Sequence, residues 1–260
     1  MKLLEGKNAL IFGVANDRSI AWGITEAFHQ HGANIGLSYA GEVLTKRVVP
    51  LAESIGCTFV EMCDVTDDTQ IAAVAEKAKA EFGEIDILVH AVAFANRDEL
   101  KGHYYETSRE GFHMAMDISV YSFTAMARAF QPILRPGASL MTMTYYGAVK
   151  AVPHYNVMGV AKAALEATVR YMANDFGPQH IRVNAISAGA IRTLAAAGVS
   201  GFKTMHSHYA EIAPLRENVT KDDVGQAAVF LASEMSRMTT GEVLYVDAGY
   251  NIVGVPETVE

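Results

Sequence analysis

The chain has 260 residues and a formal net charge of −8 at pH 7, and half of its residues are hydrophobic. This composition supports a large buried core, while the acidic balance and the lack of an 18-residue apolar run exclude general attraction to nucleic acid and a membrane span. The two cysteines, Cys57 and Cys63, predict no disulfide framework and fit a reducing, cytoplasmic compartment.

Short β-rich segments alternate with helical segments along the chain. The predicted strands span residues 8–12, 34–39, 58–63, 86–90, 139–143, 181–186 and 243–246. The predicted helices span residues 20–31, 42–55, 67–82, 108–131, 156–176 and 222–234. This alternation predicts an α/β fold with a doubly wound, seven-stranded parallel sheet, of the Rossmann-like type. Without a linker, residues 1–260 are expected to form a single domain, with a substrate-binding loop at about 190–218.

The loop after the first strand has features of a nucleotide-binding turn. Glycine lets the backbone approach a phosphate, and the free N–H groups of a helix N-terminus hold the anion. Gly13 opens this loop, and Ser19 is placed to cap the next helix and to donate its hydroxyl to a pyrophosphate. The G-x-G-x-x-G spacing is absent, so the loop alone leaves an ordinary capped turn open as the alternative.

Two further strand ends favour a dinucleotide. Asp64 follows the third strand, where a carboxylate can meet adenine, and the small residues Ala91 and Ala93 follow the fourth, where they leave room for a ribose. The second strand ends in "SYAGE" without the arginine that a 2′-phosphate requires, so the sequence favours NADH over NADPH. No cluster of histidine, cysteine and carboxylate side chains predicts a metal site.

Tyr155 and Lys162 form the second candidate constellation. Seven residues turn an α-helix by about 700°, two turns less about 20°, so both side chains lie on one face and can reach one ligand. From this spacing alone, a packed tyrosine and a snorkelling lysine remain the alternative.

These residues resemble those of a known family. Tyr-x6-Lys after the fifth strand resembles the short-chain dehydrogenase/reductase superfamily. The loop "GVANDRSIAWGI" resembles that of type I enoyl-acyl carrier protein reductases, as does Tyr145, ten residues before Tyr155. The segments "SAGAIRTLAAAG" (187–198) and "GEVLYVDAGYNI" (241–252) resemble their substrate-side loop and last strand. The similarity runs from about residue 3 to residue 254.

The resemblance implies one reaction. NADH delivers hydride to the β-carbon of a trans-2-enoyl thioester carried by acyl carrier protein, in fatty acid biosynthesis. Tyr155 then stabilises or protonates the enolate oxygen, while Lys162 binds the nicotinamide ribose and lowers the pKa of the tyrosine. Tyr145 lines the pocket near the reacting carbonyl. The resemblance also implies a homotetramer.

The resemblance further implies two sets of binding positions. The cofactor set is Gly13, Ser19, Ile20, Ala40, Asp64, Val65, Val92, Lys162, Ile191, Arg192, Thr193, Leu194 and Ala195. The substrate set is Ala95, Tyr145, Tyr155, Phe202 and Met205.

The sequence departs from the family pattern at three alanines. Ala93 stands where glycine is common beside the nicotinamide, Ala40 where a polar residue often meets the adenine side, and Ala190 where proline is common. Members of the family often have several basic residues near the pocket mouth that meet the acidic carrier protein. Here that stretch has few basic residues beyond Lys203, so the sequence gives little support for carrier docking.

Two other functions stay open from the sequence. Ketone and alcohol reductases of the superfamily carry a serine about thirteen residues before the tyrosine, and Thr142 occupies that position. Alternatively, the chain binds a dinucleotide without turnover, a hypothesis supported only by Ala93 and the few basic residues.

Overall fold

The computed structural model describes residues 2–194 and 202–255. Within the second range, residues 202–205 are described by their backbone alone. Its strands are β1 (Asn8–Phe12), β2 (Asn34–Tyr39), β3 (Phe59–Met62), β4 (Ile85–His90), β5 (Leu134–Thr144), β6 (Arg182–Ala188) and β7 (Val243–Val246). Its helices are α1 (Ile20–Gln30), α2 (Thr45–Ser54), α3 (Asp68–Phe82), α4 (Arg109–Met116), α5 (Ser122–Phe130), α6 (Asn156–Phe176), α7 (Phe202–Ile212) and α8 (Lys221–Ala232).

The strands form one parallel sheet in the order β3-β2-β1-β4-β5-β6-β7. This confirms the predicted seven-stranded, doubly wound α/β fold. The chain leaves β1 for β2 on one side and later returns to β4 on the other. A parallel sheet opens a crevice at the carboxyl ends of its strands where the order reverses, which here lies between β1 and β4.

Alternate residues of each strand enter the two cores. Leu10 and Phe12 of β1 pack against α3, α5 and α6 on one face. Ala9 and Ile11 pack against α1, α2 and α8 on the other. Because both faces are covered, the central strands are almost wholly apolar, as the sequence pattern predicts.

The structure differs from the predicted elements around residues 108–131. The predicted single helix is interrupted by a π-helical turn, Asp117–Tyr121, between α4 and α5. The hydroxyl of Ser119 accepts a hydrogen bond from the backbone N–H of Phe94 at 3.1 Å, and the hydroxyl of Ser122 lies 2.8 Å from Nε2 of His90. These contacts with the end of β4 join the π-helical turn to the sheet, and local helical periodicity carries no sign of them.

The segment 190–218, predicted as a substrate-binding loop without a helix of its own, contains α7. Its side chain Tyr209 is fully buried and stacks on Tyr250 with ring centroids 3.7 Å apart. A contact with the 3₁₀ turn Tyr250–Ile252, which follows β7, therefore holds this helix in place. At α2 the prediction began too early, because residues Glu42–Leu44 form a separate 3₁₀ turn. No described helix is long and apolar enough to cross a membrane.

The packing of α1 on α8 depends on two glycines. A Cβ placed on Gly225 would lie 2.5 Å from the carbonyl oxygen of Gly23, and one on Gly23 would lie 2.4 Å from the carbonyl oxygen of Lys221. The two backbones therefore approach more closely than any side chain permits.

We expect Gly225→Ala to lower the free energy of unfolding by about 1–3 kcal/mol, the range for overpacking a core. Alanine is the better helix former by about 1 kcal/mol, so helix propensity alone would raise the stability of the variant. A lower stability would therefore show that the close backbone contact decides the outcome. Gly177→Ala is the matched control, because Gly177 has a φ of −52° and no atom within 4 Å of its added Cβ. Urea denaturation of both variants checks this, and equal stabilities would contradict the close approach.

Candidate active site

A cavity of about 530 Å³ opens at the carboxyl ends of the central strands. It extends from the loop after β1 to the first turns of α6. Its lining residues are Phe12, Gly13, Val14, Ala15, Asn16, Ser19, Ile20, Ala21, Ser38, Tyr39, Ala40, Leu44, Cys63, Val65, Ala91, Val92, Ala93, Phe94, Ala95, Arg97, Leu100, Met143, Thr144, Tyr145, Val152, Tyr155, Met158, Lys162, Ala188, Gly189, Ala190, Ile191, Thr193 and Leu194. The cavity occupies the crevice that the strand order predicts.

The loop after β1 brings bare backbone to the cavity. Gly13 has a φ of +102°, and a Cβ there would lie 2.2 Å from the carbonyl oxygen of Ala91. The N–H of Gly13 donates to the carbonyl of Ser38 at 3.0 Å. Glycine is therefore required at this position by both conformation and space.

Ser19 caps α1, as the sequence predicts. Its Oγ accepts from the N–H of Trp22 at 3.3 Å and donates to the carbonyl of Asn16 at 2.7 Å. The hydroxyl proton is thus already used within the loop. The first N–H groups of α1 remain the donors that face an anion at this helix end.

The charges of the lining differ from those of the whole chain. The protein carries a net charge of −8, yet the described lining contains two cations, Arg97 and Lys162, and no carboxylate. This distribution favours an anionic ligand in the cavity.

Tyr155 and Lys162 line the same cavity, as the helical spacing predicts. Tyr155 is the residue before α6 begins, and Lys162 lies two turns further along. The buried Lys162 Nζ donates to the backbone carbonyl of Met143 at 2.7 Å. Part of its hydrogen-bonding need is therefore met by the sheet, which fixes the ammonium beside the end of β5.

Burial controls the ionisation of Lys162. Removal from water lowers the pKa of its ammonium to about 8, and the nearby Glu166 opposes this shift. The carboxylate of Glu166 accepts from the Thr144 hydroxyl at 2.8 Å. One face of α6 thus carries a buried cation and a buried acid whose charges are only partly compensated.

The expected lowering of the pKa of Tyr155 is wrong for this structure. Burial raises the pKa of its phenol above the usual range, and the neighbouring Tyr145 raises it further. The two rings meet edge to face with centroids 4.9 Å apart. Desolvation dominates over any attraction by Lys162, so the phenol stays protonated at neutral pH and is able to donate a hydrogen bond.

Thr142 does not take the place of the serine found in ketone reductases. It is fully buried and absent from the cavity lining, and its Oγ1 lies 2.8 Å from Nδ1 of His90. Burial lowers the pKa of His90 to about 3, so the ring is neutral and joins Thr142 to Ser122 inside the core. This network is structural and turns Thr142 away from any substrate.

The structure brings most of the predicted site residues together. The predicted residues that line the cavity are Gly13, Ser19, Ile20, Ala40, Val65, Val92, Ala95, Tyr145, Tyr155, Lys162, Ile191, Thr193 and Leu194. Asp64 and Arg192 are exposed and outside the lining, and Oδ1 of Asp64 accepts from the N–H and hydroxyl of Thr66. Ala195 lies outside the described residues, and Phe202 and Met205 belong to α7 with their side chains undescribed.

Sequence reasoning missed several lining residues. They include Asn16, Ser38, Arg97, Leu100 and Val152. A polar Ser38 within the apolar run of β2 was the available signal, whereas Arg97 lies in a loop whose path depends on tertiary contacts. Among the described residues, no three histidine, cysteine or acidic side chains are grouped as a metal site requires.

The fold and the site define a class of protein. A doubly wound parallel sheet, a glycine at the first turn and a tyrosine–lysine pair beside the crevice are the features of a dinucleotide-dependent oxidoreductase. A sequence model described as enoyl-(acyl carrier protein) reductase matches residues 13–251. The chain belongs to this enoyl-acyl carrier protein reductase family.

Individual relatives are similar along nearly their whole length. The enoyl-acyl-carrier-protein reductase (NADH) FabI of Rickettsia prowazekii (strain Madrid E) is 52% identical over 252 residues, which cover 97% of each chain. The Anaplasma phagocytophilum reductase, solved in complex with NAD, is 50% identical with a TM-score of 0.95 and 98% of each chain covered. The Bacillus cereus reductase, solved with NADP+ and indole naphthyridinone, is 49% identical with a TM-score of 0.96, covering 98% of this chain and 100% of its own.

The lowered pKa of Lys162 predicts a pH-dependent stability. Between the folded pKa of about 8 and the ordinary lysine pKa of 10.5, the unfolded chain binds more protons, so stability rises with pH in that window. We therefore expect the thermal midpoint of the wild type to rise relative to Lys162→Met between pH 8 and 10.5. Other groups titrate alike in both proteins and cancel in the difference.

Lys79→Met serves as the control for this pH series, since Lys79 is exposed on α3. Its difference from the wild type should stay constant over the same range. A constant difference for Lys162→Met as well would contradict the buried charge.

Proposed function

We propose that this protein reduces the trans-2 double bond of enoyl thioesters with NADH, the step that enoyl-acyl carrier protein reductases perform in fatty acid biosynthesis. The convergence of Tyr155 and Lys162 on one cavity carries this proposal. Membership of the family supports it, as do the NADH-dependent relatives at about half identity.

The residues present fit a dinucleotide. Gly13 keeps side chains away from the phosphate turn, the lining is free of carboxylates, and the buried hydroxyl of Ser38 has no partner among the described residues. The first turn of α1, Lys162 and the segment 191–194 would hold the coenzyme. When bound, NADH supplies the hydride that the β-carbon of the thioester receives.

The chain's own groups then act on the thioester oxygen. As the β-carbon gains a hydride, negative charge develops on the thioester carbonyl oxygen. The protonated phenol of Tyr155 donates a hydrogen bond to that oxygen, and burial of the site strengthens this bond. Tyr145 packs edge-on against Tyr155 and fixes the direction of its ring. Lys162 would hold the ribose hydroxyls of the coenzyme and keep a positive charge near the developing anion.

NADH is the proposed coenzyme because the end of β2 lacks a partner for a 2′-phosphate. Ala40 lines the cavity there, and Lys46 and Arg47 lie in α2 outside the lining. Because the Bacillus cereus relative was solved with NADP+, the preference for NADH over NADPH is to be measured directly.

The first test compares substrates by the oxidation of NADH. We expect turnover of crotonyl thioester with NADH in preference to NADPH, and none of acetoacetyl thioester, since Thr142 is unavailable to hold a ketone. Tyr155→Phe should lower kcat about 100-fold, the usual cost of removing one donor to a developing oxyanion. Tyr105→Phe, at an exposed tyrosine, is the control and should match the wild type.

Each alternative has its own result in this assay. Reduction of acetoacetyl thioester alone would identify a ketone reductase. NADH binding without turnover of any enoyl thioester would identify a binding protein. An unchanged rate in Tyr155→Phe would remove the phenol from the mechanism.

We further propose that acyl carrier protein delivers the substrate and that the enzyme works in the cytoplasm. Arg97 at the cavity and the exposed Arg192 offer positive charge to an acidic carrier. The segment 190–218, which includes α7, remains the proposed substrate-binding loop. Cys57 and Cys63 are free thiols, which suits a reducing compartment.

A homotetramer is the proposed assembly. On α6, Val160 and Tyr171 are eleven residues apart, which is three turns plus about 20°, so they share a stripe opposite the buried face. Tyr171 is 77% exposed and Val160 is 37% exposed, and we assign this stripe of α6 to the subunit interface.

We expect light scattering of the wild type to give a mass of about four times 28.1 kDa. Tyr171→Glu should lower this mass because it places a charge in the interface. A monomer in the wild type, or an unchanged mass in the variant, would overturn the assignment of this surface.

A further inference from the structure

Ser38 is the unexplained polar residue of the cavity. It lies one residue before the end of β2, its side chain is 1% exposed, and it lines the cavity. Its Oγ has no hydrogen-bond partner among the described residues. A buried hydroxyl without a partner destabilises the folded chain, so a partner that arrives later is the natural explanation.

Three other hydroxyls of the lining already have partners. Ser19 bonds to Asn16 and Trp22, Thr144 bonds to Glu166, and the phenol of Tyr39 lies 3.1 Å from Oγ1 of Thr45. These side chains are held by the protein itself. Ser38 differs from these three because its buried Oγ has no hydrogen-bond partner among the described residues.

The position of Ser38 in the sheet assigns it to one part of a dinucleotide. In doubly wound folds the adenosine ribose meets the end of the second strand, usually at an acidic side chain. Here residues 38–41 read Ser-Tyr-Ala-Gly and contain no carboxylate. Ser38 lies beside Phe12 in the strand pairing, and its carbonyl accepts from the N–H of Gly13 in the phosphate turn. Ser38 therefore lies where the end of β2 meets the phosphate turn, at the adenosine end of the cavity.

We propose that the Ser38 hydroxyl hydrogen-bonds the adenosine half of the coenzyme, and so replaces the acidic residue that this strand end lacks. The inference rests on the proposed NADH dependence. It assigns to this chain a binding residue that the family pattern of glycines, Asp64 and Ala40 did not indicate.

The orphaned hydroxyl predicts two effects of opposite sign for Ser38→Ala. Without ligand, the variant loses a buried group that has no partner, so its thermal midpoint should equal or exceed that of the wild type. With NADH, the variant loses one hydrogen bond, so its Kd should rise about three- to tenfold. A purely structural serine would lower the midpoint on removal and leave the Kd unchanged.

Ser139→Ala is the matched control. Ser139 is as buried as Ser38, but its Oγ donates to the carbonyl of Leu231 at 2.8 Å and it does not line the cavity. We expect this variant to have a lower thermal midpoint than the wild type and an unchanged Kd for NADH. The pair therefore separates an orphaned hydroxyl from a satisfied one.

The experiment measures the Kd values of NADH and of reduced nicotinamide mononucleotide by calorimetry for the wild type and both variants. The mononucleotide lacks adenosine, so Ser38→Ala should leave its Kd unchanged while weakening NADH. An equal Kd for NADH in the wild type and Ser38→Ala would overturn the inference. So would a rise in Kd in Ser38→Ala that is equally large for NADH and for the mononucleotide. Failure of the wild type to bind NADH would instead overturn the proposed function.

Discussion

The burial of one ammonium group is the constraint on which this site depends. Lys162 lies in an apolar helix, and removal from water lowers its pKa to about 8. Among the described residues its hydrogen-bond partner is the carbonyl of Met143, the penultimate residue of β5. Because that carbonyl is fixed by β5, the ammonium points to the carboxyl edge of the sheet. Lys162 also lines the cavity, where polar atoms of a ligand can accept from its remaining N–H donors.

The same desolvation determines the state of the tyrosine. An apolar pocket raises the pKa of Tyr155 while it lowers that of Lys162, so burial favours the neutral forms of both groups. The cation does not generate a phenolate across this site in the free protein. Tyr155 is instead prepared as a neutral donor, a role that suits an oxygen whose negative charge develops only during reaction. Ligand binding and catalysis therefore use the two groups in different ways, although both lie on one stripe of α6.

The sequence predicted the sheet closely because its signals are local. Apolar strands separated by helices define the order of elements, and the carboxyl-end rule then brings Gly13, Val65, Val92 and Ile191 to one crevice without further information. The π-helical turn, α7 and the pKa of Tyr155 were missed for a common reason. Each depends on contacts between distant segments, such as Ser119 with Phe94 or Tyr209 with Tyr250. Spacing places Tyr155 beside Lys162, but it contains no measure of how much water the folded chain removes from them.

Three unfavourable features of the fold lie at this edge of the sheet. Gly13 holds a positive φ against the backbone of Ala91, Lys162 is charged inside a core, and Ser38 has a buried hydroxyl without a partner. Unfavourable local features of this kind mark functional sites, because a bound ligand can supply the hydrogen bonds that the protein itself does not provide. A dinucleotide that meets all three features would gain affinity from each, and the free protein would be less stable than its fold allows. On this reasoning, the adenosine end of the cavity, where the Ser38 hydroxyl lies, takes as direct a part in binding as the tyrosine and lysine at the other end.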